Sequence, residues 1–92
     1  MLLSSAKETT MFHRIKNVKV LKDFKLQVEF QEGCSKLYDA KPLIDTIPAF
    51  SVFKERPYIF EDAEVDEGGY GIIWNDDLDL SSEELWNNGK SI

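Results

Sequence analysis

Val18-Lys-Val-Leu-Lys-Asp-Phe-Lys-Leu-Gln-Val-Glu-Phe30 is the stretch whose reading decides the fold. In its second half, Leu26, Val28 and Phe30 alternate strictly with Lys25, Gln27 and Glu29. A two-residue period puts the two sets on opposite faces of a strand, one apolar and one charged. Such one-sided strands belong to antiparallel sheets with one face in water. Upstream, Val18 and Val20 alternate with Asn17 and Lys19 as a half-buried strand, and Lys22-Asp23 makes a short break before the next strand. Downstream, Gln31-Glu32-Gly33 closes an antiparallel hairpin that runs from Val18 to Tyr38, and Gly33 can take the positive φ of its tight loop. The return strand, Cys34 to Tyr38, is less regular, and Leu37 and Tyr38 must point to opposite faces.

Farther out, Asp39 to Ile44 is expected to turn the chain out of the sheet, with Pro42 holding Lys41 extended. Pro48-Ala-Phe-Ser-Val-Phe-Lys-Glu55 predicts a short helix, proline in its first turn and Phe50 and Phe53 on one face, stopping before Pro57. A second hairpin follows. Ala63 and Val65 alternate with acids, Glu67-Gly68-Gly69 supplies the turn, and Tyr70, Ile72 and Trp74 alternate on the way back. Asn75-Asp76-Asp77 reads as a polar break. Asp79-Leu80-Ser81-Ser82-Glu83-Glu84 then opens a second helix, with Ser81 as N-cap, Glu84 completing a capping box, and Asn88-Gly89 at the end. The expected fold is a small single α+β domain of antiparallel β-hairpins with two short helices, in the order β-β-β-α-β-β-α. Residues 1–11 are expected to be a disordered leader and residues 12–92 the folded domain.

Composition narrows the classes. A chain of 92 residues, 42% hydrophobic and 30% charged, suits one globular domain. Its single cysteine, Cys34, rules out an internal disulfide and a multi-cysteine zinc site, and points to a reducing cytoplasm. No run approaches the roughly 20 apolar residues of a membrane-spanning helix. Charge is unevenly placed. Residues 1–60 hold ten Lys and Arg against seven Asp and Glu, a balance of +3, whereas residues 61–92 hold one Lys against ten acids, a balance of −9, giving the net −6. All ten acids lie between Glu61 and Glu84. That surface repels phosphate backbones and attracts basic partners.

Candidate chemistry is sparse. His13, the only histidine, is flanked by Lys, Arg and Asn, and reads as a fringe residue. Cys34 has no paired histidine or helix start nearby and reads as a small, partly buried strand residue. An EF-hand loop begun at Asn75 would need glycine at its sixth position and glutamate at its twelfth; the chain has Leu80 and Trp86 there. Gly68-Gly69-Tyr70-Gly71 lacks the lysine and hydroxyl residue of a phosphate loop and serves as a hairpin turn. No nucleophile–base pair can be named, so the expectation is no enzyme, no catalytic residue, no cofactor and no metal. Tyr70, Trp74 and Trp86 stand around the acidic turn of Asp76 and Asp77, and these five are the candidate partner-binding residues.

The order of these segments resembles the small, mostly bacterial family catalogued as domain of unknown function 2442. Val18 to Phe30, Gly33, Tyr38-Asp39-Ala-Lys-Pro42-Leu-Ile44, Phe50 and Phe53, Phe60 to Asp66, Gly69 to Trp74, and Asp79-Leu80 carry the resemblance. It implies a small α+β fold without established catalytic residues. Some relatives are fused to a helix-turn-helix DNA-binding domain, and others are encoded beside a second small protein, as in toxin–antitoxin-like pairs. After Glu84 this sequence has no second helix for a helix-turn-helix, so direct nucleic-acid binding is not expected. The expected function is a non-enzymatic protein-interaction module, antitoxin-like or regulatory, whose partner is a small basic protein encoded by a genome neighbour. The alternative is a nucleic-acid-associated transcriptional regulator acting through a partner or through Lys16, Lys19, Lys22 and Lys25 on the hairpin. An exposed edge strand also leaves room for a homo-oligomer.

Overall fold

The structure, a computed structural model, describes residues 13–92, so the expected leader lies outside the described residues. β2 (Lys25–Phe30) and β3 (Ser35–Asp39) pair antiparallel across the predicted Gln31-Glu32-Gly33 turn, and β1 (Ile15–Leu21) pairs antiparallel with β2, so the break at Lys22-Asp23 is a hairpin turn as well. Leu26, Val28 and Phe30 are fully buried. In register, Val20, Leu26 and Tyr38 form one cross-strand row on the core face, and Val18, Val28 and Lys36 form the next. The β1–β2 turn is tighter than its sequence suggests: Asp23 and Phe24 both take left-handed backbone, at φ 60° and 59°. That conformation costs an L-residue roughly 1–2 kcal/mol. Its opposing gain is the Phe24 ring, which packs edge-on to Phe60 at 5.3 Å. Gly33 has the positive φ, 96°, that its turn requires.

The segment after β3 departs from expectation. Lys41–Thr46 is a helix, α1, not an extended exit. Asp39 Oδ1 accepts the Lys41 N–H at 3.0 Å, and Pro42 falls in the first turn, where its missing N–H has no partner within the helix. The predicted helix from Pro48 splits into a 3₁₀ turn, Pro48–Ser51, and one α turn, α2 (Val52–Glu55). Phe50 and Phe53 are buried as expected. A second 3₁₀ segment, Pro57–Asp62, buries Phe60.

β4 (Glu64–Val65) and β5 (Gly71–Asn75) form the second predicted hairpin, turning at Gly68 and Gly69 with φ 101° and 78°. Asn75-Asp76-Asp77 is not a break before a helix. It turns the chain into another strand, β6 (Leu78–Ser81), with Asn75 Oδ1 accepting the Asp77 N–H at 2.8 Å. Leu78 and Leu80 face the core and Asp79 faces out, a period of two that competes with the helix reading of Asp79-Leu80. Helix α3 (Ser82–Asn88) follows, and Ser81 Oγ caps it by accepting the Glu84 N–H at 3.1 Å. The capping box is only half made, because Glu84 Oε2 instead accepts the Tyr38 hydroxyl at 2.8 Å. A last strand, β7 (Lys90–Ser91), pairs with Lys36 and Leu37 of β3. At two residues it is too short to show a period.

The result is two antiparallel sheets, β1-β2-β3-β7 and β4-β5-β6. They are tied where the Ile15 N–H donates to the Gly69 carbonyl at 2.8 Å. A Cβ on Gly69 would stand 2.6 Å from the Ile15 oxygen, so both space and φ reserve that position for glycine. One core serves both sheets, running from Ile15 and β2 through Phe50, Phe53 and Phe60 to Ile72, Leu80 and Leu85.

Candidate functional site

The five candidate partner residues do not form one cluster. Trp74, on the inward face of β5, packs against Phe53 at 5.2 Å and Phe60 at 5.5 Å, and its indole N–H donates to the Phe60 carbonyl at 2.9 Å. Trp86, on α3, belongs to a different ring stack. His13 lies parallel to it at 3.4 Å, and Phe30 meets it edge-on at 5.0 Å. Lys36 covers its other face, with Nζ 4.2 Å from the ring centre and donating to the Trp86 carbonyl at 2.7 Å. Tyr70, half exposed, stands beside Arg14, whose guanidinium lies 5.6 Å from the ring centre. Its N–H donates to Asp66 Oδ1 at 2.7 Å. Asp76 and Asp77 are exposed on the β5–β6 turn.

Two expectations from the sequence change. His13 is not a bare fringe residue: its Nδ1 is 2.8 Å from Glu32 Oε2, so the β2–β3 turn supplies a carboxylate that the neighbouring residues in sequence do not. Cys34 is exposed, one residue before β3, rather than partly buried within a strand.

Tyr38 is the described group most displaced from its ordinary proton affinity. Burial pushes its phenol far up, aided by the hydrogen bond to Glu84 and by the charges of Glu84 and Asp39. A phenol held that way stays protonated at neutral pH and so works there as a structural donor. It borders a groove of about 500 Å³ between β3, α1 and α3, lined by Lys25, Asp39, Pro42, Leu43, Glu84 and Lys90. Among the described residues, no three His, Cys, Asp or Glu side chains are grouped to hold a metal ion. No helix among them is long and apolar enough to cross a membrane.

The acidic third has a simpler property. Ion pairs among the described residues join His13 to Glu32, Lys16 to Glu29 and Lys54 to Asp45. None involves an acid between Glu61 and Glu84, so among the described residues all ten charges lack an ionic partner. Sequence reasoning overlooked one participant in this surface. Ile73 lies between the inward Ile72 and Trp74 and therefore points outward, which the alternation within Gly71–Asn75 could have revealed.

Fold and surface together define a small α+β protein of two antiparallel sheets joined at their edges, acidic over its second half. The chain belongs to the family described as protein of unknown function (DUF2442), which matches residues 15–91, from the first described strand to the last. No curated protein and no solved structure matches it.

Proposed function

We propose that this chain is a non-enzymatic protein-interaction module, an antitoxin-like or regulatory partner of a small basic protein. The observation that carries this reading is the set of ten carboxylates between Glu61 and Glu84, which no described cation neutralises. Charges left unpaired on one surface set up a field that steers an oppositely charged protein and speeds its association. Tyr70, Asp76 and Asp77 keep exposed surface within a partner's reach. Trp74 and Trp86 pack in two separate ring stacks that hold β5 and α3 in place. The nucleic-acid alternative has less support. On the outward hairpin face, Lys25 sits across from Asp39, and Lys16 lies 3.9 Å from Glu29, so the lysines are interrupted by acids.

Copurification from the native host, washed at low and then high salt, tests the reading. A basic protein retained at low salt and released at high salt is the expected result. Recovery of the chain alone, monomeric under every wash, would overturn it.

A further inference from the structure

The outward face of the second sheet is not used by the core. Ile73, in the middle strand, keeps 36% of its surface exposed, although water-facing sheet positions normally carry polar side chains. Its cross-strand neighbours are Glu64 on β4 and Asp79 on β6. Both are exposed, and neither is in an ion pair among the described residues. Asn75, beyond a shift of register in the same strand, is exposed as well. Strands spaced about 4.8 Å apart set the two acidic strands roughly 9.6 Å from each other, with the isoleucine midway. That separation is close to the width of an α-helix with its side chains, about 10–12 Å.

We propose that this face docks an amphipathic helix of a basic protein. The helix lies along β5, its apolar stripe on Ile73, with Lys or Arg on its flanks reaching Glu64 on one side and Asp79 on the other. This rests on the interaction-module reading and adds to it the docking surface and the shape of the partner. Charge complementarity selects the occupant. Residues 61–92 carry a balance of −9, so a second copy of this face would set carboxylates against carboxylates. A nucleic acid would bring phosphates to the same charges and meet the same repulsion.

The test is an NMR titration of the isotope-labelled full chain with a synthetic helical peptide bearing leucines at i, i+3, i+4 and i+7 between lysines and arginines. A scrambled peptide of equal composition is run alongside. Amide shifts are expected to concentrate on Glu64, Gly71–Asn75 and Asp79. Ile73→Ser, and separately Glu64→Gln with Asp79→Asn, should each weaken binding by about tenfold or more, as loss of a central anchor does. Glu55→Gln, an acid outside the acidic third, should leave it unchanged. All these positions are exposed, and the dispersion of the amide spectrum confirms that each variant is folded.

Four results would overturn the proposal. Equal binding of the scrambled peptide, or no binding of the ordered one, removes the helix. Self-association abolished by Ile73→Ser makes the occupant a second copy. Binding that ignores Ile73→Ser but is lost in Asp76→Asn with Asp77→Asn moves the partner to the β5–β6 turn. That last outcome rejects this face while the interaction-module reading stands.

Discussion

Trp86 shows how one residue acquires a role from groups far away in sequence. His13 stacks on one side, Lys36 on the other, and Phe30 on its edge, so three segments converge on one indole. An aromatic pair contributes roughly 0.5–1.5 kcal/mol beyond its buried area. Replacing His13 with Ala should therefore lower the free energy of unfolding by about 1 kcal/mol, read as an earlier urea midpoint with an unchanged slope. Tyr38 supports a pH prediction. Its folded-state pKa is raised above that of a free tyrosine, so its contribution is complete below about pH 10, where the unfolded phenol ionises. Stability should then fall as the pH rises beyond that point. Tyr38→Phe should remove this part of the alkaline loss. Glu84→Gln should let Tyr38 ionise at a lower pH, followed by phenolate absorbance of the folded protein. An alkaline stability profile identical in wild type and Tyr38→Phe would contradict the assignment.

Elements follow from short patterns only where the chain's own chemistry agrees with its neighbours. The Ser81 cap was legible because it is local, and its hydroxyl does take the Glu84 N–H. Ser81→Ala should cost about 1 kcal/mol, measured by thermal or chemical unfolding. β6 was masked by that same signal. Asp79-Leu80 reads as the lead-in to that capped helix, and only pairing with β5 assigns Leu78 and Leu80 to a strand. Lys41–Thr46 was hidden by Pro42, whose usual restriction on the preceding residue is overcome at Lys41, the first residue of the helix, whose N–H donates to Asp39 Oδ1. Gly69 is legible as a turn glycine. Its contact with Ile15, which fastens the two sheets, is not. Gly69→Ala should destabilise by more than the roughly 1 kcal/mol of a strained backbone alone, since the new methyl also meets the Ile15 carbonyl. Calorimetry of that variant checks the joint: no change in its melting temperature would mean the junction is loose.

Across the whole molecule, uncompensated charge is the main consequence. Ten acids without ionic partners among the described residues repel one another in the folded state more than in the expanded chain. Added salt should raise the melting temperature between about 0.01 and 0.5 M, as the screening length falls from roughly 30 Å to a few ångströms. Glu64→Lys with Asp79→Lys should reduce that salt dependence, because both positions lie on the unpartnered sheet face. A melting temperature indifferent to salt would show the acids to be electrostatically isolated from one another.

The sequence by itself determined the fold class, the first two hairpins, the buried row of Leu26, Val28 and Phe30, and the division of charge. Each of these depends on period, turn chemistry or composition, which are properties of neighbouring residues. Tertiary structure alone decided that Ser35–Asp39 shares its edge with Lys90–Ser91, that His13 meets Glu32 and Trp86, and that Glu64, Ile73 and Asp79 stand in one row. Those pairings arise from register and edge contacts between distant segments, and no local pattern encodes them.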